Sequence, residues 1–220
     1  MRRLAAVVSL LSFAVLLSFA VLWGCSSSHT MLVSVPPRVD VKSYGTVGIV
    51  EFASSAGRGM GASAARQLEE QVQAAQPGTR FIELGEPQAV LAAVGSGQFD
   101  FAAVKKIGEK YGVGAVFLGE IAYSQPRMDV RLIDVAKLEG NVRAEMRGDI
   151  SSRLMETATG ASVWSSSASA RRELGSLSVS GGQGVSGGMR ESDPQAAMLP
   201  GLVYNLSHDF RPTTVRQTVE

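Results

Sequence analysis

One cysteine, Cys25, stands in 220 residues, and a lone thiol cannot close an intramolecular disulfide. Stability in an oxidising compartment must then come from packing. Histidine is nearly as scarce, since His29 and His208 are the only two, which argues against a multi-histidine metal site. Neither sign of charge dominates: 21 Lys and Arg face 20 Asp and Glu, with no basic cluster of the kind a nucleic-acid surface needs. The Gly-Lys-Ser/Thr of a phosphate loop is absent too. Gly57, Gly59 and Gly61 follow a predicted strand and open a predicted helix, a place where backbone N–H groups can hold a phosphate, but Gly61-Ala62 breaks the dinucleotide spacing. Ser207, His208 and Asp209 are adjacent on one segment, whereas a nucleophilic triad needs groups that converge from fixed elements. The residues therefore point to no catalytic site, no cofactor and no metal.

What is present begins at the N-terminus. Arg2 and Arg3 precede an almost unbroken apolar run, residues 4–23, that stops at Leu22-Trp23-Gly24-Cys25. A basic start, an apolar core and a small residue before a cleavage point are the layout of an export signal. The ending resembles the lipobox of bacterial lipoproteins, in which the cysteine is lipidated and becomes the new N-terminus. That resemblance implies a signal peptide over 1–24 and lipidation at Cys25, with acyl chains holding the mature protein on a membrane at about 0.8 kcal/mol per buried methylene. Trp23 is bulkier than the residue lipoboxes usually carry at that point. An uncleaved transmembrane anchor is the alternative, since about 20 apolar residues span a bilayer.

The remaining chain reads as one domain with tails. Residues 25–43, with three serines and Pro36-Pro37, read as a flexible tether. Over 44–174 the pattern is α/β, or α+β: a mixed sheet packed by helices. Strand signals at 44–52 and 79–84 flank a helix over 61–75, and Pro87 and Asp100 open two more helices before the apolar strand 115–123. From Met128 onward the alternation is that of antiparallel hairpins, with a turn at 156–160 before Val163-Trp164. Residues 175–192 are dominated by Gly and Ser and read as a disordered loop; 193–220 read as a C-terminal helix and tail, with Leu202, Val203, Leu206 and Phe210 on the apolar face.

The order of Gly48-Ile49-Val50-Glu51-Phe52, a Gly-rich loop and helix, the segment 111–120, and Leu154-Met155-Glu156-Thr157-Ala158-Thr159-Gly160 resembles a group of exported lipoproteins. The group contains the curli-secretion channel protein, the penicillin-binding-protein activator lipoproteins and the N-terminal domain of the Tol-system β-propeller protein. Glu156 and Ala158 depart from it where relatives often show an aspartate, and 175–192 has no counterpart. The resemblance implies a non-enzymatic, lipid-anchored protein at the periplasmic face of the outer membrane. Such a protein binds periplasmic or outer-membrane proteins and helps assemble or regulate an envelope machine. The alternative it implies is a homo-oligomeric, curli-type secretion channel subunit; a nucleotide-binding or hydrolytic enzyme using residues 57–61 is the third reading. Trp164 is either a core residue, the favoured reading, or an exposed anchor for a partner. The hairpins from Met128 onward read as a half-buried soluble sheet, because Arg131, Arg143, Glu145, Arg147, Asp149, Arg153 and Glu156 interrupt the run a lipid-facing strand would need and Ser165 to Ser169 is too polar on both faces to meet lipid.

Overall fold

The computed structural model describes residues 29–134, 139–180, 184–189 and 193–219. Cys25 and the export signal lie outside them. The elements in chain order are β1 (His29–Val35), β2 (Thr46–Val50), β3 (Ala53–Ser54), α1 (Arg58–Ala75), β4 (Arg80–Gly85), α2 (Pro87–Val94), α3 (Phe101–Tyr111), β5 (Ala115–Tyr123), β6 (Arg127–Asp134), β7 (Glu139–Glu156), β8 (Ser162–Ser180), β9 (Gly184–Met189), α4 (Pro194–Leu206) and β10 (Thr213–Val219). The class is mixed α+β with a helix near the C-terminus, as expected.

Two compact units result: one of residues 36–212, the other built from the two ends of the chain. In the terminal unit β1 and β10 form an antiparallel two-stranded ribbon, with Val33 opposite Val215. The flexible tether expected over 25–43 is therefore corrected in its described part. Residues 29–35 find backbone partners in 213–219, which the tail reading of the C-terminus had left without structure. Val41, also placed in the tether, is fully buried, within a single 3-10 turn capped by Asp40.

The larger unit holds one eight-stranded sheet in the order β4-β2-β5-β7-β8-β9, with β3 beside β5 and β6 beside β7. β4, β2 and β5 run parallel, and every pair from β5 onward through β7, β8 and β9 is antiparallel. Helices cover both faces of the parallel part. Ala64, Leu68 and Val72 of α1 and Met198, Leu202 and Leu206 of α4 pack with Val47, Ile49, Phe117 and Leu154. Val90 and Val94 of α2 and Val104 and Ile107 of α3 pack with Val50, Val116, Leu118 and Met155 on the other face. A strand buried on both faces reads as a continuous apolar run, which is why Ala115-Val116-Phe117-Leu118 stands out in the sequence.

Local chemistry sets the boundaries. Pro87 occupies the first turn of α2, where its missing N–H costs nothing, and the Asp100 carboxylate accepts from the Ala103 N–H at 2.8 Å to cap α3. Asp193 caps α4 in the same way through Ala196, and Pro200 is carried inside one continuous helix. α1 begins at Arg58, earlier than the expected start, and passes Phe52 so closely that a side chain at Gly61 would collide with the Phe52 carbonyl oxygen.

The Gly/Ser segment is the second correction. In the described part of the disordered loop expected over 175–192, β8 runs on to Ser180 and β9 pairs with it from Gly175 opposite Met189 to Ser180 opposite Gly184; residues 181–183 and 190–192 lie outside the described residues. Composition predicted disorder because these residues bury little; the ladder of a neighbouring strand supplies the order instead.

Candidate functional site

The residues singled out in the sequence do not converge. Trp164 lies on the inner face of β8, 7% exposed, against Phe117 and Phe210 at 6.0 and 4.5 Å between ring centroids. Its indole N–H donates to Asp209 Oδ2 at 3.1 Å. The proposed exposed anchor at Trp164 is thus corrected: the ring is core, and its one polar atom is satisfied inside the protein. The Ser207 hydroxyl donates to the Tyr204 carbonyl at 3.2 Å, and His208 Nδ1 stands 3.8 Å from Asp209 Oδ1. Asp209 is committed to Trp164 and, at 3.2 Å, to Arg38, so the segment acts as a structural clasp. Burial works to raise the Asp209 carboxyl, but the indole N–H and the Arg38 guanidinium outweigh it and hold it below the usual carboxylate range. Among the described residues no three His, Cys, Asp or Glu gather as a metal site, and no helix is long and apolar enough to cross a membrane.

The feature that remains is the part of the sheet that no helix core includes. β7 and β8 have 18 and 19 residues, far longer than the helix-covered part of the sheet needs. Their far portions join β6 and β9 in a four-stranded antiparallel arm, with strand order β6-β7-β8-β9. Residues directly opposite each other share a face, and successive residues alternate. On one face Met128 lies opposite Ala144, Val130 opposite Val142, Val142 opposite Leu177, and Leu177 opposite Gly187. No charged side chain interrupts these positions. Met128, Val130 and Leu177 are 75%, 61% and 40% exposed. The backbone register carries the same rows on through Leu132 opposite Gly140 and Val179 opposite Val185.

The opposite face collects the charge. Arg127 lies opposite Glu145, Asp129 opposite Arg143, and Arg131 opposite Asn141; Glu145 and Arg147 continue across to Glu173 and Arg171. Arg147 grips Asp149 through Nε and Nη2 at 2.9 and 2.7 Å, and Arg131 pairs with Asp129 at 3.2 Å. The sheet expected to be half-buried from Met128 onward is corrected in the arm on that point alone, since Met128 and Val130 are exposed. The charges do not interrupt an apolar run; they occupy alternate positions, and the intervening apolar side chains are exposed.

Along β7 this polar row continues out of the arm through Asp149, Ser151 and Arg153, into a groove of about 640 Å³ on the same sheet face, beside Pro87 at the start of α2. Ser151, Ser165 and Ser167 floor it, with the Ser151 hydroxyl on Glu120 Oε1 at 3.3 Å and Arg153 Nη2 on the Phe99 carbonyl at 3.2 Å. The polar serines that spoke against a membrane role belong to this groove, outside the arm. The signal for the arm was in the sequence, in the odd and even positions of 127–131 and 141–145, but only the strand pairing shows that four strands share one register.

No family model and no curated protein matches this sequence. Among solved structures, the chain is similar to the PelC dodecamer from Paraburkholderia phytofirmans, with 13% identity over 83% of this chain and 98% of that one at a TM-score of 0.41. It is similar to lipoprotein GNA1162 from Neisseria meningitidis, with 16% identity over 74% and 97% of the two chains at 0.35. It is also similar to the C-terminal domain of LpoB from Salmonella enterica, with 13% identity over 58% and 83% at 0.34. Proteins described as lipoproteins thus recur among the structures that this chain resembles.

Proposed function

We propose that this protein is a non-catalytic bacterial envelope lipoprotein, anchored through Cys25 and facing the periplasm. Several copies join their arms in the outer membrane as the wall of an export channel. The observation that carries the reading is the sorting of the arm into one charged face and one face whose outer positions are apolar, with Arg172 opposite Met146 at its root. A soluble sheet exposing Met128, Val130 and Leu177 on one side would leave a contiguous apolar patch in water, and such patches mark contact with lipid or protein. Lipid on one side and water on the other is what an alternating barrel strand meets.

Strand number and edges support self-assembly. Four strands are too few for a barrel, whose smallest members have about 8. Among the described residues, β6 and β9 each pair with one strand only, so each has a free edge. Directions alternate from β6 to β9, so β9 of one copy beside β6 of the next is again antiparallel. Adding copies then extends one up-and-down sheet until it closes. The 8 residues of β6 fall just under the roughly 9–11 of a tilted barrel strand.

The reading is tested by the environment of single positions. Cys25 is the only native cysteine, and on this reading lipidation consumes its thiol, so one engineered cysteine reports alone. In detergent-extracted protein returned to vesicles, Cys at 128 and 130 should respond to lipid-dissolved quenchers and Cys at 127, 129 and 131 to water-soluble ones. Water access at all five positions would remove the channel and leave a contact surface for envelope proteins.

A further inference from the structure

We infer that the terminal ribbon lies flat on the membrane that holds Cys25, with the face carrying Met31, Val33, Val35 and Val215 set into the lipid interface. This rests on the lipid anchor at Cys25 and not on the channel reading. In the ribbon Val35 lies opposite Thr213, Val33 opposite Val215 and Met31 opposite Gln217. Residues directly opposite share a face and successive ones alternate, so these six form one side. The other side carries Ser34 opposite Thr214 and Leu32 opposite Arg216, with Leu32 its one apolar residue. Met31, Val35 and Val215 are 54%, 38% and 47% exposed. A two-stranded ribbon standing alone is marginal in water, because it has no second layer to cover its apolar face.

The length of chain before the ribbon says what covers that face. Cys25 stands four residues before His29, so the ribbon starts at most about 14 Å along the chain from the residue that carries the acyl chains. With those chains in the bilayer, Cys25 sits in the headgroup layer, and a ribbon tied so closely stays within reach of it. β1 and β10 have 7 residues each, fewer than the roughly 9–11 a strand needs to cross a bilayer. Among the described residues each pairs with the other alone, so their outer edges need water or headgroups as hydrogen-bond partners, which hydrocarbon cannot supply. The ribbon therefore lies on the membrane and does not span it. Neither strand holds a carboxylate that lipid phosphate would repel. Ser34, Thr214 and Arg216 are left facing water.

The test uses full-length lipidated protein in vesicles of phosphatidylethanolamine and phosphatidylglycerol, with one engineered cysteine at a time carrying an environment-sensitive fluorophore. Labels at 31, 35 and 215 should lose emission to a quencher attached to lipid near the headgroup. Labels at 30, 34 and 214, on the other side of the same strands, should lose it to iodide in the water. Iodide quenching at all six positions, in protein that stays on the vesicles and carries its lipid, overturns the inference and leaves the anchor standing. Labels at 31, 35 and 215 shielded from both quenchers reveal a protein cover, either a second copy or the rest of the chain, and also overturn it. A chain that takes up no lipid overturns the anchor reading and the inference with it.

Discussion

Trp164 donates its indole N–H to Asp209 Oδ2 at 3.1 Å, across a separation of 45 residues that joins the start of β8 to the turn after α4. The same carboxylate takes Arg38 at 3.2 Å, so one acid ties three distant segments together around the Phe117–Trp164–Phe210 ring cluster. Trp164→Phe keeps most of the packing and removes the donor. It should cost about 1.5–3 kcal/mol, the usual range for a hydrogen bond to a charged group, measured by urea unfolding of the chain lacking residues 1–25.

The sign of the pH effect follows from the lowered carboxyl of Asp209. A depressed folded-state value adds stability above the unfolded value of about 3.9, and that stability is lost as pH falls through the lower folded value. Asp209→Asn should therefore be less stable than wild type at neutral pH and should flatten the acid limb of the stability curve. An unchanged acid limb would show that the pair contributes nothing to it.

Gln76 is buried and fully engaged: its Oε1 accepts from the Val41 N–H at 2.9 Å, and its Nε2 donates to the carbonyls of Val39 at 2.7 Å and Phe210 at 3.1 Å. Gln76→Leu keeps the volume and strands three backbone groups away from water. A loss of about 2–3 kcal/mol is expected, with faster proteolysis of the 36–45 segment as a second readout.

Gly61 sits against the Phe52 carbonyl, and the Phe52 N–H donates to the Gly61 carbonyl at 3.3 Å. Gly61→Ala should cost more than about 2 kcal/mol, in the range of overpacked sites, although alanine favours helices. Gly59→Ala in the same turn, where nothing stands within reach of an added methyl, should be neutral or stabilising. Equal thermal shifts in the two variants would contradict close packing as the reason for Gly61.

Val130→Asp and Leu177→Asp place charge on the apolar face of the arm. On the channel reading they abolish membrane insertion, at a cost of up to a few kcal/mol each in the bilayer interior, and leave the thermal unfolding of the helix-packed part of the sheet unchanged. Val130→Asp protein that still inserts and conducts would contradict a lipid-facing position.

Cys25→Ser should abolish lipid labelling and leave an uncleaved precursor in the membrane. Normal processing of that variant would remove the lipoprotein reading and leave a membrane-spanning anchor.

Much of the fold was legible because its signals are local. Asp100, Pro87 and the 156–160 turn act through neighbours a few residues away, and the Ala115 to Leu118 run announces a strand covered on both sides. The terminal ribbon was not legible, since β1 has meaning only beside β10, some 180 residues distant. Nor was β9, whose glycines and serines gain order only from the β8 ladder. Trp164 was open between core and surface because burial depends on what α4 and the segment after it bring to its face.

The sequence by itself determined the apolar run after Arg2 and Arg3, the lone cysteine, the helix caps and the two-residue alternation from Met128 onward. Each of these is encoded in adjacent residues and needs no partner to be read. Only the tertiary structure decided what the alternation means. Pairing four strands in register puts Met128, Val130, Val142 and Leu177 on one side and Arg127, Arg131, Arg143 and Arg147 on the other, so that charges which seem to interrupt an apolar run along the chain form a separate face across it. The physical reason is that a strand's two faces are distinguished by what lies beside it, and hydrogen bonding between strands fixes that only once the chain has folded.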